Sequence, residues 1–221
     1  MVDAGSVKLI PELILTCCFL LGSIPFGILI ARLFKVSDLT SKGSGNIGAT
    51  NVSRVVGFWP AGFITFALDV GKGSAAVFLA SPYALNLYSR FVSGGAYDSL
   101  AETLSSETLM WVAGLFAVLG HCFSPWLHFR GGKGVATGFG AVLLLSPWAA
   151  LAGIVAFAFT FMNKRVGSLA SLTGLTVVAV VHLIAYPRGL HLWAGAATMF
   201  VILIRHEANI DALLENHEKT F

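Results

Sequence analysis

The chain has 221 residues, of which 56% are hydrophobic and only 11% charged, and its mean hydropathy of +0.81 excludes a soluble globular fold and places it among integral membrane proteins. That length suits one domain, residues 1–221. Net charge of +3 says little in itself; where the charges fall says more.

A spanning helix needs roughly 20 apolar residues. Uncharged stretches predict an all-α bundle of about seven spans, at 9–34, 55–80, 109–128, 135–146, 148–162, 168–186 and 190–204. The first is interrupted by Pro25 and Gly27 and has no persuasive cleavage site after it, so it reads as a retained helix and not a signal peptide. The fourth is short, and Ser146-Pro147 admits either a boundary between two spans or one bent span. With seven spans, one side carries Arg32, Lys35, Lys42, Arg54, Arg130, Lys133, Lys164, Arg165, Arg205 and Lys219, and the other only Lys8, Arg90 and Arg188. Lys72 lies inside the second span. This bias predicts an N-terminus outside and a C-terminus in the cytoplasm.

Cys17 and Cys18 in the first span, and Cys122 in the third, lack metal-ligand spacing and read as small buried hydrophobes. After the first span comes the most informative stretch, Gly43-Ser44-Gly45-Asn46-Ile47-Gly48-Ala49-Thr50-Asn51, closed by Arg54. Glycines let amides turn toward one point, Ser, Thr and Asn add side-chain donors, and a guanidinium suits phosphate oxygens. Such a loop is expected to hold an anion at the membrane surface. In the second span Asp69 and Lys72, three residues apart, are expected to pair along one face and shield each other from lipid. Residues 86–108 read as an outer loop of mixed polarity, with Arg90, Asp98, Glu102 and Glu107 and no evident chemistry.

Three further polar clusters fall on the same side as the first loop. His121 to Pro125, followed by Phe129 to Thr137, contains Gly131, Gly132, Lys133 and Gly134, whose amides at a helix start would favour an anion. The nucleotide P-loop pattern fails here, because Gly134 stands where a hydroxyl is required. His121 suits a functional role and a bundle histidine equally. The next cluster is Asn163 to Ser168, with Ser171 just inside the following helix. The last is Arg205-His206-Glu207-Ala208-Asn209, in which His206 and Asn209 share a face if the helix continues. His206 and Asp211 also fit a His-x4-Asp acyltransferase signature, but positions five apart lie about 140° from each other on a continuous helix, so Asp211 is expected to face away. Polar groups at the membrane edge are costly unless they share an interior, so the clusters are expected to converge on one cavity.

Taken in order, these segments resemble the bacterial acyl-phosphate:glycerol-3-phosphate acyltransferases of the PlsY type. Gly22-Ser23-Ile24-Pro25 and Gly43 to Val52 resemble that family's first motif, Asp69-Val70-Gly71-Lys72-Gly73 its second-helix motif, Gly120-His121 through Gly131 to Thr137 its central motif, and Ile204 to Ile210 its C-terminal motif. The likeness spans about residues 20 to 215, and residues 83–108 stand as an insertion expected not to touch the site. The resemblance implies a seven-helix enzyme of the bacterial inner membrane with its site on the cytoplasmic face, and since one chain is expected to hold a whole site, function as a monomer is expected. It implies transfer of a fatty acyl group from acyl phosphate to the sn-1 hydroxyl of glycerol 3-phosphate, giving 1-acylglycerol 3-phosphate and phosphate. Its partners would be those two substrates and membrane lipids, with no nucleic acid, cofactor or metal. Family functional positions fall on Ser44, Arg54, Lys133, Ser171, His206 and Asn209.

Ser44, Arg54, Lys133, His206 and Asn209 are accordingly the expected catalytic set. Gly43, Gly45, Asn46, Thr50, Asn51, Gly131, Gly132, Gly134 and Ser171 are expected to bind phosphate. Removal of the acceptor proton is open between His206 and a phosphate oxygen of the donor, with substrate assistance favoured; a covalent acyl-Ser44 is a third route. The rival class is a transporter of a small phosphate compound, against which stand the one-sided polar clusters and the absence of a repeat.

Overall fold

The structure is a computed structural model that describes residues 10–92, 106–218 and 220. Lys8, Asp98, Glu102 and Lys219, and residues 93–105 of the expected insertion, lie outside the described residues. Every regular element among them is helical: α1 (Ile10–Ser23), α2 (Phe26–Leu33), α3 (Ala49–Val55), a π-type turn (Phe58–Gly62) leading into α4 (Phe63–Leu79), α5 (Pro82–Val92), α6 (Ser106–Cys122), a 3-10 turn (Pro125–Leu127), α7 (Val135–Leu145), α8 (Pro147–Lys164), α9 (Gly167–Ala185), α10 (His191–Ile204) and α11 (Glu207–Leu214).

Among the described residues, four stretches are long and apolar enough to cross a membrane: Pro11–Leu33, Phe58–Leu79, Glu107–Leu127 and Gly167–Ala185. α7 and α10 are shorter apolar helices. The open boundary at Ser146-Pro147 is a break between two helices, because Pro147 opens α8 at a position where its missing N–H costs nothing. The break at Pro25 separates α1 from α2, and Lys72 Nζ donates to Ile24 O beside it at 3.0 Å.

Interior positions are small and outward positions large, as expected where lipid replaces water as solvent. Ala31, Ala76, Ala113, Ala117, Ala150 and Ala170 are fully buried, whereas Leu33, Phe159, Ile184, Trp193 and Phe200 are exposed. α1 packs on α6, α4 on α7, and α8 on α9. The α4–α7 contact brings backbones together: a Cβ at Gly73 would overlap Thr137 O, and one at Gly140 would overlap Val70 O. Ser74 Oγ donates to Gly140 O at 2.7 Å across the same contact. Of the three cysteines, Cys18 and Cys122 are buried as expected, but Cys17 is exposed, since adjacent helix positions point in different directions.

Candidate functional site

The loop between α2 and α3 is tied by one side chain. Buried Asn51 accepts from the Ser44 N–H through Oδ1 at 2.7 Å, and its Nδ2 faces Asn46 O at 2.8 Å, Lys42 O at 3.1 Å and Leu39 O at 3.3 Å. Its amide is therefore committed to the loop, and the loop's shape is what it contributes. Gly43 (φ +62°) and Gly45 (φ +71°) take left-handed backbone that lets the chain turn around this amide. The Gly45 N–H donates to Lys42 O at 2.9 Å.

In the central cluster, the Gly131 and Gly132 amides point away from any ligand. They donate to Cys122 O and His121 O, each at 3.0 Å, closing the end of α6. Their carbonyls are held from the other side by Arg205, with Nη2 on Gly131 O at 2.8 Å and Nε on Gly132 O at 3.0 Å. The loop that carries Lys133 is thus clamped between α6 and the end of α10. Lys133 itself donates to Asn209 Oδ1.

His206 and Asn209 meet by a route other than a continuous helix. α10 ends at Ile204 and α11 starts at Glu207, with His206 at the junction and the Asn209 N–H donating to His206 O at 2.9 Å. His206 is 1% exposed, and its Nδ1 lies 2.8 Å from Ile202 O. A carbonyl can only accept, so Nδ1 carries the proton and Nε2 keeps its lone pair. Burial pushes the ring's pKa down to about 4, with neighbouring Lys133 also opposing a positive charge and the carbonyl bond and Glu218 opposing the fall. Asp211 is exposed and does not reach this ring, as the helical spacing anticipated.

One cavity, open at its mouth, gathers these segments. All five expected catalytic residues line it: Ser44, Arg54, Lys133, His206 and Asn209. So do Asn46, Thr50, Asn51, Gly134 and Ser171. Gly43, Gly45, Gly131 and Gly132 do not line it; they shape the loops behind it. Ser171 Oγ donates to Gly167 O at 2.8 Å and must turn to serve a ligand.

Two features of the lining favour an anion, beside the carboxylates of Asp69 and Glu218 that also face it. Arg54 and Lys133 bring full charges, and the starts of α3, α7 and α9 border it with residues 48–51, 134–136 and 167–168. Helix N-termini present unpaired N–H groups and a favourable dipole to an anion. Burial lowers the Lys133 pKa, the Glu218 carboxylate works against that, and the cations of Arg205 and Arg54 reinforce it.

Three lining residues carry no signal in the sequence as site groups, Phe66, Phe157 and Glu218, while Ser168 lines the cavity from the expected cluster Asn163 to Ser168. Asp69 and His121 also line the cavity. The expected Asp69–Lys72 pair forms at 2.8 Å, and His121 Nδ1 adds a third member 3.6 Å from Asp69 Oδ1. Loop spacing cannot reveal this, because His121 arrives from α6, 52 positions later.

The family profile described as glycerol-3-phosphate acyltransferase matches residues 12–216. A glycerol-3-phosphate acyltransferase of Anaeromyxobacter sp. (strain K) is 39% identical over 215 residues, covering 97% of this chain and 98% of that protein. One of Jannaschia sp. (strain CCS1) is 40% identical over 201 residues, covering 90% and 87%. The crystal structure of PlsY (YgiH), an integral membrane glycerol 3-phosphate acyltransferase, in its glycerol 3-phosphate form superposes with a TM-score of 0.80 at 34% identity, covering 96% of this chain and 95% of that one. Its lysophosphatidic acid form gives 0.78 at 33% identity with the same coverage. The chain belongs to the glycerol-3-phosphate acyltransferase family.

Proposed function

We propose that this member of the family transfers a fatty acyl group from acyl phosphate to the sn-1 hydroxyl of glycerol 3-phosphate, releasing 1-acylglycerol 3-phosphate and inorganic phosphate. One observation carries the reading: Ser44, Arg54, Lys133, His206 and Asn209, from three separate segments of chain, line a single cavity. Both substrates and the leaving group bear phosphate. Two cations and three helix starts around one space suit that load better than any single-anion task.

Arg54 and Lys133 carry the phosphate charge, while Ser44, Ser171 and Asn209 orient oxygens. Charge-assisted hydrogen bonds contribute about 1.5–3 kcal/mol each. Donors aimed at the acyl oxygen and the departing phosphate strengthen as charge builds there, and that difference accelerates the reaction. With its Nδ1–H fixed on Ile202 O, His206 offers only Nε2, as an acceptor for the substrate hydroxyl. A ring whose pKa is pushed down to about 4 is a poor store for a proton. A non-bridging phosphate oxygen of the acyl donor takes it instead. The hydroxyl oxygen then bonds to the acyl carbon, the acyl carbon–oxygen bond to phosphate breaks, and the proton leaves on phosphate. His206 acts in orientation. The acyl tail leaves the cavity beside Phe66 and Phe157 along apolar helix faces.

The seven apolar segments and the bias of basic residues support seven spans of one domain, with the N-terminus outside and the cavity facing the cytoplasm of a bacterial inner membrane. Exposed Trp59 and Trp126 at one end, and Trp148 and Trp193 at the other, suit two interfacial belts on that topology. One chain supplies every group named, which favours a monomeric enzyme. The test is release of inorganic phosphate from palmitoyl phosphate by the purified protein. Release that requires added glycerol 3-phosphate is expected. Equal turnover with acyl coenzyme A in place of acyl phosphate overturns the donor assignment.

A further inference from the structure

Helix α11 closes in a defined turn. The Asn216 N–H donates to Leu213 O at 3.3 Å, the His217 N–H donates to Ala212 O at 2.8 Å, and Asn216 sits at φ +58°. These are the paired bonds and the left-handed residue of a Schellman motif. The turn reverses the chain and brings Glu218 back to the cavity wall. There its Oε1 accepts from Ser168 Oγ at 2.6 Å and from Asn209 Nδ2 at 2.7 Å. Asn209 in turn receives Lys133 through its oxygen.

Glu218 is a second carboxylate in the lining, and unlike Asp69, which is paired with Lys72, it engages hydrogen-bond donors suited to an incoming anion. It engages donors, Ser168 at the start of α9 and Asn209 on α11, that a phosphate oxygen would use. It also keeps the Lys133 and Asn209 pair supplied with negative charge. We propose that Glu218 is a tethered competitor for the phosphate subsite, so that the acceptor substrate must displace it and its presence sets the KM for glycerol 3-phosphate. This rests on the reading of the cavity as a phosphate site. A group held on a short tether competes at an effective concentration in the millimolar range, so a weak carboxylate ligand suffices to raise KM. A bound dianion has more charge and more oxygens for the same donors, so it wins at saturation.

The experiment uses the full-length chain with E218Q and E218A. It measures kcat, the KM for glycerol 3-phosphate and the competitive inhibition constant of inorganic phosphate. Both constants are expected to fall together by about three- to tenfold in both variants, while kcat holds or rises. E218D, which keeps the charge on a shorter arm, is expected to fall between wild type and E218Q. A higher KM or a lower kcat in E218Q overturns the proposal and makes Glu218 a support for Asn209. Unchanged constants in the variants, with the wild type still inhibited by phosphate, overturn the competitor but leave the phosphate site standing. A wild type that phosphate does not inhibit overturns the phosphate reading and the competitor with it.

Discussion

Replacing Asn51 separates a residue that builds the phosphate loop from one that touches phosphate. Its side chain satisfies the Ser44 N–H and faces three carbonyls, of Asn46, Lys42 and Leu39, the last at a long 3.3 Å. Counting the three shorter contacts at about 1 kcal/mol net each gives roughly 3 kcal/mol of loop order lost in N51A. If that order must be recovered when substrate binds, KM for glycerol 3-phosphate rises by about a hundredfold, at 1.4 kcal/mol per factor of ten. N51D keeps the acceptor for Ser44 but turns the amide's donations into oxygen–oxygen repulsion, and it adds a negative charge beside the cavity. N51D is therefore expected to be worse than N51A. Two assays follow the effect: KM at saturating acyl phosphate, and the rate of tryptic cleavage after exposed Lys42, which should rise in both variants. A tryptic rate unchanged in N51A, or an N51D enzyme better than N51A, would refute the loop-building role.

Further expectations concern charge, pH and packing. K133Q and R54Q should each raise the KM for glycerol 3-phosphate by about tenfold to a hundredfold, the size of a lost charge-assisted hydrogen bond, with the loss growing less at high salt. Because burial lowers the Lys133 pKa, activity should decline on the alkaline side before an ordinary lysine would deprotonate, and K133R should remove that limb. For His206, the unfolded ring takes a proton near pH 6.5 while the folded ring resists until about 4. Stability intact above pH 6.5 is thus lost as pH falls toward 4, by about 3 kcal/mol in total, and thermal unfolding of H206Q should show a shallower slope over that window. The same variant reports on the proton: turnover within about tenfold of wild type supports the substrate phosphate as base, and near-complete loss with both substrates bound assigns that role to His206. G73A should cost about 1–3 kcal/mol in thermal stability, since the added methyl overlaps Thr137 O where α4 crosses α7; an unchanged melting temperature would show that the crossing yields.

The residues that line the cavity were largely visible in the sequence because their chemistry is out of place in a membrane chain. An arginine, a lysine, a histidine and an asparagine beside glycines at helix ends have few reasons to be there unless they share a site. What they do individually was less visible. Gly131 and Gly132 look like anion donors from spacing alone, but their amides close α6, a bond set by tertiary packing. His206 and Asn209 were expected on one helix face, yet a break after Ile204 brings them together. Arg205 reads as one more basic residue until its two bonds to the Lys133 loop appear. Glu218 could not be found at all, because its position depends on a turn whose only trace is an asparagine after a short helix. The four long apolar stretches follow from composition, and the Ser146-Pro147 boundary needed the folded chain to resolve.

A structure determined with glycerol 3-phosphate bound tests most directly whether these separate segments form one phosphate site. Its phosphorus atom is expected within hydrogen-bonding reach of both Arg54 and Lys133, with the sn-1 hydroxyl turned toward His206 Nε2. A phosphate bound elsewhere, with either cation facing away from it, would contradict the shared cavity.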